Sequence, residues 1–297
     1  MDITVALGGG GARGYAHIGV LRRLETDGYL IRAISGVSAG GIVAVAYAAG
    51  YTPDEMEATF TKLDQSKLFA RSSNEGPGLL GLSGAARLFE DLFGDQNFSD
   101  LRIPCAVVAV DLKECQEVVL SKGRVVDALL ATIAVPGVFP PKQYGETQLV
   151  DGAVLNPVPV SVARSLAPGL PVVAVILDMD TNATRDLISL PLPVPVPAPL
   201  VERITRTRVA QAFNIFLQSV DASSRALAEM RLQADHPDVI IRPNVNGIGL
   251  LDKVDIHKVA LMGEDATGMV LPELQRTGAW PNRLRRQLFR QRGRYVP

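Results

Sequence analysis

Three short stretches of the chain place small, polar and acidic residues where chemistry can be done. The first is Gly36-Val37-Ser38-Ala39-Gly40, set between the apolar run Ile31 to Ile34 and the alanine-rich stretch Ile42 to Ala49. A strand that turns sharply into a helix needs small residues beside the turn. A serine there projects its Oγ from constrained backbone, at a helix N-terminus that favours developing negative charge. The same pentapeptide also reads as a glycine-rich turn with Ser38 as a helix cap. The second stretch is Gly8-Gly9-Gly10-Gly11-Ala12-Arg13-Gly14, directly after the apolar run Ile3 to Leu7. Four consecutive glycines lose much backbone entropy on folding, so a purely structural turn has little use for them all. Their amides, beside a helix start, can hold a phosphate or the oxyanion of a tetrahedral intermediate. The third is Asp151-Gly152-Ala153, closing the run Leu149-Val150. By itself it reads as an ordinary turn after a strand.

Gly9, Gly11 and Gly14 also satisfy the G-x-G-x-x-G dinucleotide fingerprint. That reading requires an acid at the end of the second strand, where Gly36 to Gly40 stand instead. Tyr15 occupies the position of the P-loop lysine. A non-catalytic phosphate- or nucleotide-binding regulatory protein is the alternative class. An acyl-transfer centre uses all three stretches together, with Ser38 as nucleophile, Asp151 as base and the Gly8 to Gly11 amides as oxyanion hole. His236 and His257 follow Asp151 in chain order, so a Ser-Asp-His esterase ranks second among mechanisms. His17, one turn into the first helix, reads as a helix-surface residue. Asp111 begins a turn toward Lys113, Cys105 reads as core, and Cys115 lies in a turn.

Taken in order, the glycine loop with Arg13, Gly36-x-Ser38-x-Gly40 and Asp151-Gly152-Ala153 resemble the patatin-like phospholipases. Ala134-Val135-Pro136-Gly137-Val138-Phe139-Pro140-Pro141 resembles that family's segment before the aspartate, and the likeness runs from about Ile3 to Pro159. The resemblance implies a three-layer α/β fold, a central and mostly parallel sheet flanked by helices. It implies a Ser38–Asp151 dyad in which the aspartate takes the serine proton directly, with no histidine. Arg13 would assist the oxyanion or a lipid phosphate, and Gly14, Gly36, Gly40 and Gly152 would support the motifs. The implied activity is lipid acyl-ester hydrolysis through an acyl-enzyme, of phospholipase A, lysophospholipase or esterase type, without metal or cofactor. Many members carry Asp-Gly-Gly; Ala153 adds one methyl.

The bulk properties agree with an enzyme-sized globular chain. It has 297 residues, 47% of them hydrophobic and 21% charged, enough to bury a large core. A formal net charge of -1 argues against a nucleic-acid partner. Two cysteines make no disulfide framework, and His17, His236 and His257 form no metal spacing with them. The expected compartment is cytoplasmic, and any membrane contact peripheral, since no apolar run reaches about 18 residues. The opening residues lack a signal-peptide pattern and read as a first strand.

Val- and Ile-rich runs at Ile3 to Leu7, Ile31 to Ile34, Ala106 to Val110, Val118 to Leu120 and Val172 to Leu177 alternate with helical patterns. Such alternation predicts an α/β sheet covered on both faces. A single domain over 1–297 is expected, with a motif-bearing core at 3–177. Thr52-Pro53-Asp54-Glu55 predicts a capped helix start. Arg71 to Gly84 reads as a mobile surface loop near the site. The Pro-rich stretch 187–200 reads as an extended connection or lid, and segments such as Leu79 to Phe93 and Leu187 to Val201 are expected to build the acyl-binding wall. Residues 201–280 are expected to be largely helical, with a strand at Val239 to Arg242. The tail 283–297, carrying six arginines and no acid, is solvated or docks on anionic lipid.

Overall fold

The structure, a computed structural model, describes residues 1–72, 74–177 and 208–277. The Pro-rich connection 187–200 and the basic tail 283–297 lie outside the described residues. The chain opens with β1 (Asp2–Leu7), passes through a short 3-10 turn (Gly11–Tyr15) into α1 (Ala16–Thr26) and returns as β2 (Leu30–Val37). Gly28, at φ 79°, ends α1 in the left-handed region that favours glycine. Helix α2 (Ala39–Ala49) starts directly behind β2. The expected capping box opens α3 (Pro53–Thr61): Thr52 Oγ1 accepts the Glu55 N–H at 3.2 Å, and the Glu55 carboxylate accepts the Thr52 N–H at 2.9 Å. After α4 (Gln65–Leu68) and α5 (Ser83–Phe93), β3 (Cys105–Asp111) and β4 (Gln116–Leu120) form a hairpin. Helix α6 (Val125–Thr132) leads to a second hairpin, β5 (Lys142–Tyr144) and β6 (Thr147–Asp151). Then come α7 (Val160–Leu166), β7 (Val172–Val175), α8 (Arg208–Asp235), β8 (Val239–Ile241) and α9 (Ile256–Thr277).

The eight strands make one sheet in the order β5-β6-β3-β2-β1-β7-β8, with β4 also paired to β3. The central strands β8, β7, β1, β2 and β3 run parallel, and the hairpins add the antiparallel pairs. Alternate residues feed two cores. Ile3, Val5, Leu7, Val107 and Ala109 join the larger one with α1, α2, α5 and α6, while Ala6, Val172 and Ala174 meet α7 and α8 through Ala163, Ala228 and Leu232. The fold is therefore the expected three-layer α/β arrangement. On the larger face α9 lies close against α1, because the crossing points are glycines. A Cβ on Gly19 would run into the Ala260 carbonyl, and one on Gly263 into that of Ala16.

Strand register brings the two distant motifs together. Val107 and Val108 have Leu120 and Val119 on one side and Gly36 and Val37 on the other. Ala109, one residue further, has Val118 on the β4 side and Asp151 opposite it. Strands β2 and β6 thus share one edge of β3, and β6 takes over where β2 ends at Val37. Ser38 and Asp151 are the residues at that handover. Toward the end of the Arg71 to Gly84 stretch Leu80 and Leu82 are buried, the Leu80 N–H donates to the Val138 carbonyl at 2.9 Å and the Arg71 guanidinium holds the Gly76 and Gly78 carbonyls, while Arg71, Ser72, Gly76, Pro77 and Leu79 are exposed.

Candidate active site

Ser38 sits between the last residue of β2 and the first of α2 at φ 54°, ψ −127°. A non-glycine residue held there stores roughly 1–3 kcal/mol of strain, so its surroundings must over-determine it. They do so in three ways. A Cβ on Gly36 would strike the Gly40 carbonyl, and one on Gly40 the Leu7 and Gly8 carbonyls, so the two glycines let the strands close on the turn. The Ser38 carbonyl accepts the N–H groups of Gly41 at 2.9 Å and Ile42 at 3.2 Å. The Ser38 N–H donates to Thr132 Oγ1 at 2.9 Å, and that hydroxyl donates onward to the Val108 carbonyl at 2.6 Å. Thr132 is fully buried at the end of α6 and ties the turn to β3. Sequence reasoning missed it, because nothing local to Thr132 announces its partners.

Asp151 is 3% exposed and Ser38 7%, and the Ser38 hydroxyl lies close enough to the Asp151 carboxylate to lower its pKa. The Asp151 Oδ1 accepts the Ala153 N–H at 2.9 Å. Burial pushes this carboxyl up from the usual carboxylate range to about 6, against the Ser38 hydroxyl and the Ala153 N–H, which lower it. The backbone is fixed as well: the Asp151 N–H donates to the Ala134 carbonyl at 2.9 Å, which gives the Ala134 to Pro141 segment its place beside the aspartate. Gly152 must be glycine because a Cβ would meet the Val108 carbonyl.

The glycine loop does less uniform work than its sequence suggests. The Gly8 and Gly9 amides donate to the Val175 and Pro157 carbonyls at 2.9 and 3.1 Å, and the Ala12 amide to the Leu250 carbonyl at 2.8 Å. These three amides are taken up by the fold. Among the described residues no acceptor is paired with the Gly10 or Gly11 amides. Gly9 lies beside the serine, its Cβ direction 3.4 Å from Ser38 Cβ, and Gly14 leaves room for Ala39 Cβ. Arg13 is buried and bonded within the fold. Its Nε donates to the Gly10 carbonyl at 3.0 Å, and its other nitrogens reach the Leu177 carbonyl and Asp221 Oδ1, both at 3.4 Å. It braces the loop.

His17 is a correction: it is fully buried, and its Nε2–H donates to the Gly8 carbonyl at 2.8 Å. That acceptor fixes the tautomer, leaving Nδ1 unprotonated and without a partner among the described residues. Desolvation holds its pKa down to about 4, against the Gly8 bond, so the ring is neutral. The signal was present in the spacing, since His17, Val20, Leu21 and Leu24 follow the i, i+3, i+4, i+7 pattern of a core face. The later histidines stand elsewhere. Exposed His257 pairs through Nδ1 with Glu57 at 2.7 Å, and the His236 carbonyl, beyond the end of α8, accepts from Arg164. Asp111 does what its turn position predicts, accepting the Lys113 N–H at 2.8 Å. Cys105 is buried, as expected, and Cys115 exposed.

Ser38 opens into a pocket of about 400 Å³. Its walls include Phe60, Leu68, Phe69, Phe89 and Phe139, and α2 contributes Ala39, Ile42 and Val43 on the face that begins with Ser38. Leu82, Ala85 and Leu88 line it too, so the Leu79 to Phe93 part of the expected wall is in place; the part after residue 187 lies outside the described residues. Among the described residues no helix is long and apolar enough to cross a membrane.

Fold and site together define a three-layer α/β protein with a Ser–Asp pair at the carboxyl ends of its parallel strands. A profile of the family described as patatin-like phospholipase matches residues 5–164, just over half of the sequence, and the chain belongs to that family. An uncharacterized NTE family protein of Mycobacterium tuberculosis is 33% identical over 187 residues, covering 62% of this chain and 51% of that protein. A second from the same organism is 29% identical over 288 residues, covering 93% and 48%. The mouse patatin-like phospholipase domain-containing protein 6 is 30% identical over 178 residues, 55% of this chain and 13% of that protein. The chain thus spans about half the length of the mycobacterial relatives it matches. The crystal structure of VipD from Legionella pneumophila has the same fold, with a TM-score of 0.56 at 14% identity over 92% of this chain and 66% of that one.

Proposed function

We propose that this chain hydrolyses lipid acyl esters, with Ser38 as nucleophile and Asp151 as its general base. The observation that carries the reading is a serine on a strained turn set beside a buried aspartate, at the wall of an apolar pocket. Ser38 Oγ attacks the ester carbonyl carbon while its proton passes to the Asp151 carboxylate. The carbonyl oxygen becomes an oxyanion, for which the Gly10 and Gly11 amides and the Ala39 amide at the first position of α2 are the donors. Collapse of the intermediate breaks the ester bond, and the leaving alkoxide takes the proton back from Asp151. Water then cleaves the acyl-Ser38 ester by the same route.

The raised pKa of Asp151 suits this task. A carboxylate near 6 is a better base than an ordinary aspartate, yet remains ionised at neutral pH. The pocket accepts an acyl chain on apolar walls and leaves its ester beside Ser38. Membrane contact, in this reading, is that of a peripheral lipid hydrolase, and the chemistry uses no metal or cofactor.

Hydrolysis of p-nitrophenyl esters of rising chain length tests the proposal. The expected result is turnover by wild type, with losses of about 10³-fold or more in kcat for Ser38→Ala and Asp151→Asn. Turnover that survives Ser38→Ala, or that disappears in His236→Ala or His257→Ala, contradicts it.

A further inference from the structure

We propose that Lys253 is the contact for a negatively charged group of the substrate, so that the site takes an acyl ester with an anionic group close to its ester bond. The inference rests on the acyl-hydrolase reading and adds a substrate class to it. The lining of the pocket is apolar over most of its extent, and among the described residues its charged members are the neighbours Asp252 and Lys253. Asp252 is committed to the fold, its Oδ2 accepting the Gly249 N–H at 2.6 Å. Lys253 is exposed and has no ion pair among the described residues; the nearby Asp255 carboxylate is matched to Lys258 at 3.8 Å.

The position of Lys253 is set by the catalytic loop itself. The Leu250 carbonyl accepts the Ala12 N–H at 2.8 Å, and Leu251 is buried in the main core. The segment carrying the lysine is therefore clamped to the glycine loop, and Lys253, exposed, lines the pocket that opens on Ser38. The other cation of the site, Arg13, is occupied by the Gly10 and Leu177 carbonyls and by Asp221. Among the described residues, that leaves Lys253 as the lining residue that can offer positive charge to a ligand. A pocket of about 400 Å³ lies toward the small end of small-molecule sites, roughly 300–1,000 Å³, and suits one acyl chain. Apolar walls, a serine and a solvated ammonium in sequence match an amphiphile with one chain, an ester and an anionic head.

The test uses decanoyl lysophosphatidylglycerol and 1-decanoylglycerol, both below their critical micelle concentrations, with wild type, Lys253→Gln, Lys253→Glu and Lys253→Arg. The ratio of kcat/KM for the anionic ester over the neutral one is expected to fall about fivefold in Lys253→Gln, further in Lys253→Glu, and to recover in Lys253→Arg. In wild type the ratio shrinks as NaCl is raised. A ratio equal in all four proteins overturns the assignment. If wild type cleaves neither ester, the hydrolase reading itself fails. Calorimetric binding of decanoyl lysophosphatidylglycerol to Ser38→Ala and to Ser38→Ala/Lys253→Gln then decides the contact: about fivefold weaker binding in the double variant supports it, and equal affinity overturns it.

Discussion

Thr132→Val replaces a hydroxyl by a methyl of nearly the same size, and so isolates what the hydroxyl does for the nucleophile. In the native protein that hydroxyl accepts the Ser38 N–H at 2.9 Å and donates to the Val108 carbonyl at 2.6 Å, with Val108 and Thr132 both fully buried. Valine leaves a buried amide and a buried carbonyl without partners at once. Each such orphan costs about 1–3 kcal/mol, so the variant loses roughly 2–6 kcal/mol, or a Tm drop of about 3–10 °C. The kinetic effect follows from the strain at Ser38. With its N–H released, the serine relaxes from φ 54°, ψ −127° and its Oγ leaves the Asp151 carboxylate, so kcat falls while KM changes little. Thr132→Ser keeps both bonds and loses one methyl, about 1 kcal/mol. Urea unfolding and ester hydrolysis on the three proteins form the assay. A valine variant within 0.5 kcal/mol of wild type, on the scale of those orphan costs, would refute the reasoning; so would a serine variant as damaged as the valine one.

Asp151 predicts an acidic limb in kcat/KM near pH 6, with activity falling about tenfold per unit below it, because the base must be ionised. Its raised pKa also means that its contribution to stability is full below the unfolded value of 3.8 and is lost as pH rises through about 6. Asp151→Asn is then inactive but more stable at pH 7, by about 1–3 kcal/mol in chemical denaturation. His17 acts with the opposite sign: its pKa falls from 6.5 to about 4, so its contribution is full above 6.5 and is lost as pH falls toward 4. The two nearly cancel between pH 4 and 6, and Asp151→Asn unmasks His17 as stability that rises by about 3 kcal/mol from pH 4 to 6.5, whereas wild type is flat. His17→Ala removes the imidazole from the Gly8 carbonyl and leaves a cavity, a loss of about 2–4 kcal/mol by urea unfolding, with kcat falling more than KM.

What could be read in the sequence was whatever a local signal specifies. The glycines at 36 and 40, the capping box at Thr52, the Asp-Gly end of β6 and the apolar runs of β1 to β3 each have a local physical reason, and each stands where it was expected. What escaped depends on contacts far apart in the chain. Thr132 acts through Ser38, 94 residues away, and Val108; no periodicity encodes that. Arg13 kept its place in the motif, but its partners could not be read there, because Leu177 follows the neighbouring strand β7 and Asp221 comes from α8. The four glycines looked equivalent until strand pairing gave Gly8 and Gly9 to the Val175 and Pro157 carbonyls. His17 was misplaced although its spacing marked a core face, because a polar residue type outweighed the pattern. Helix α5 was hidden behind the Gly- and Ser-rich stretch that precedes it, yet it supplies one wall of the pocket.

The most direct test of the central claim is covalent labelling with a fluorophosphonate, followed by mass spectrometry of the modified peptide. The account predicts one adduct per chain on Ser38 in wild type and in the His236→Ala/His257→Ala double variant, none in Ser38→Ala, and labelling slowed by about 10³-fold in Asp151→Asn. A wild type that takes no label, an adduct on another residue, or unchanged labelling without Asp151 would contradict it.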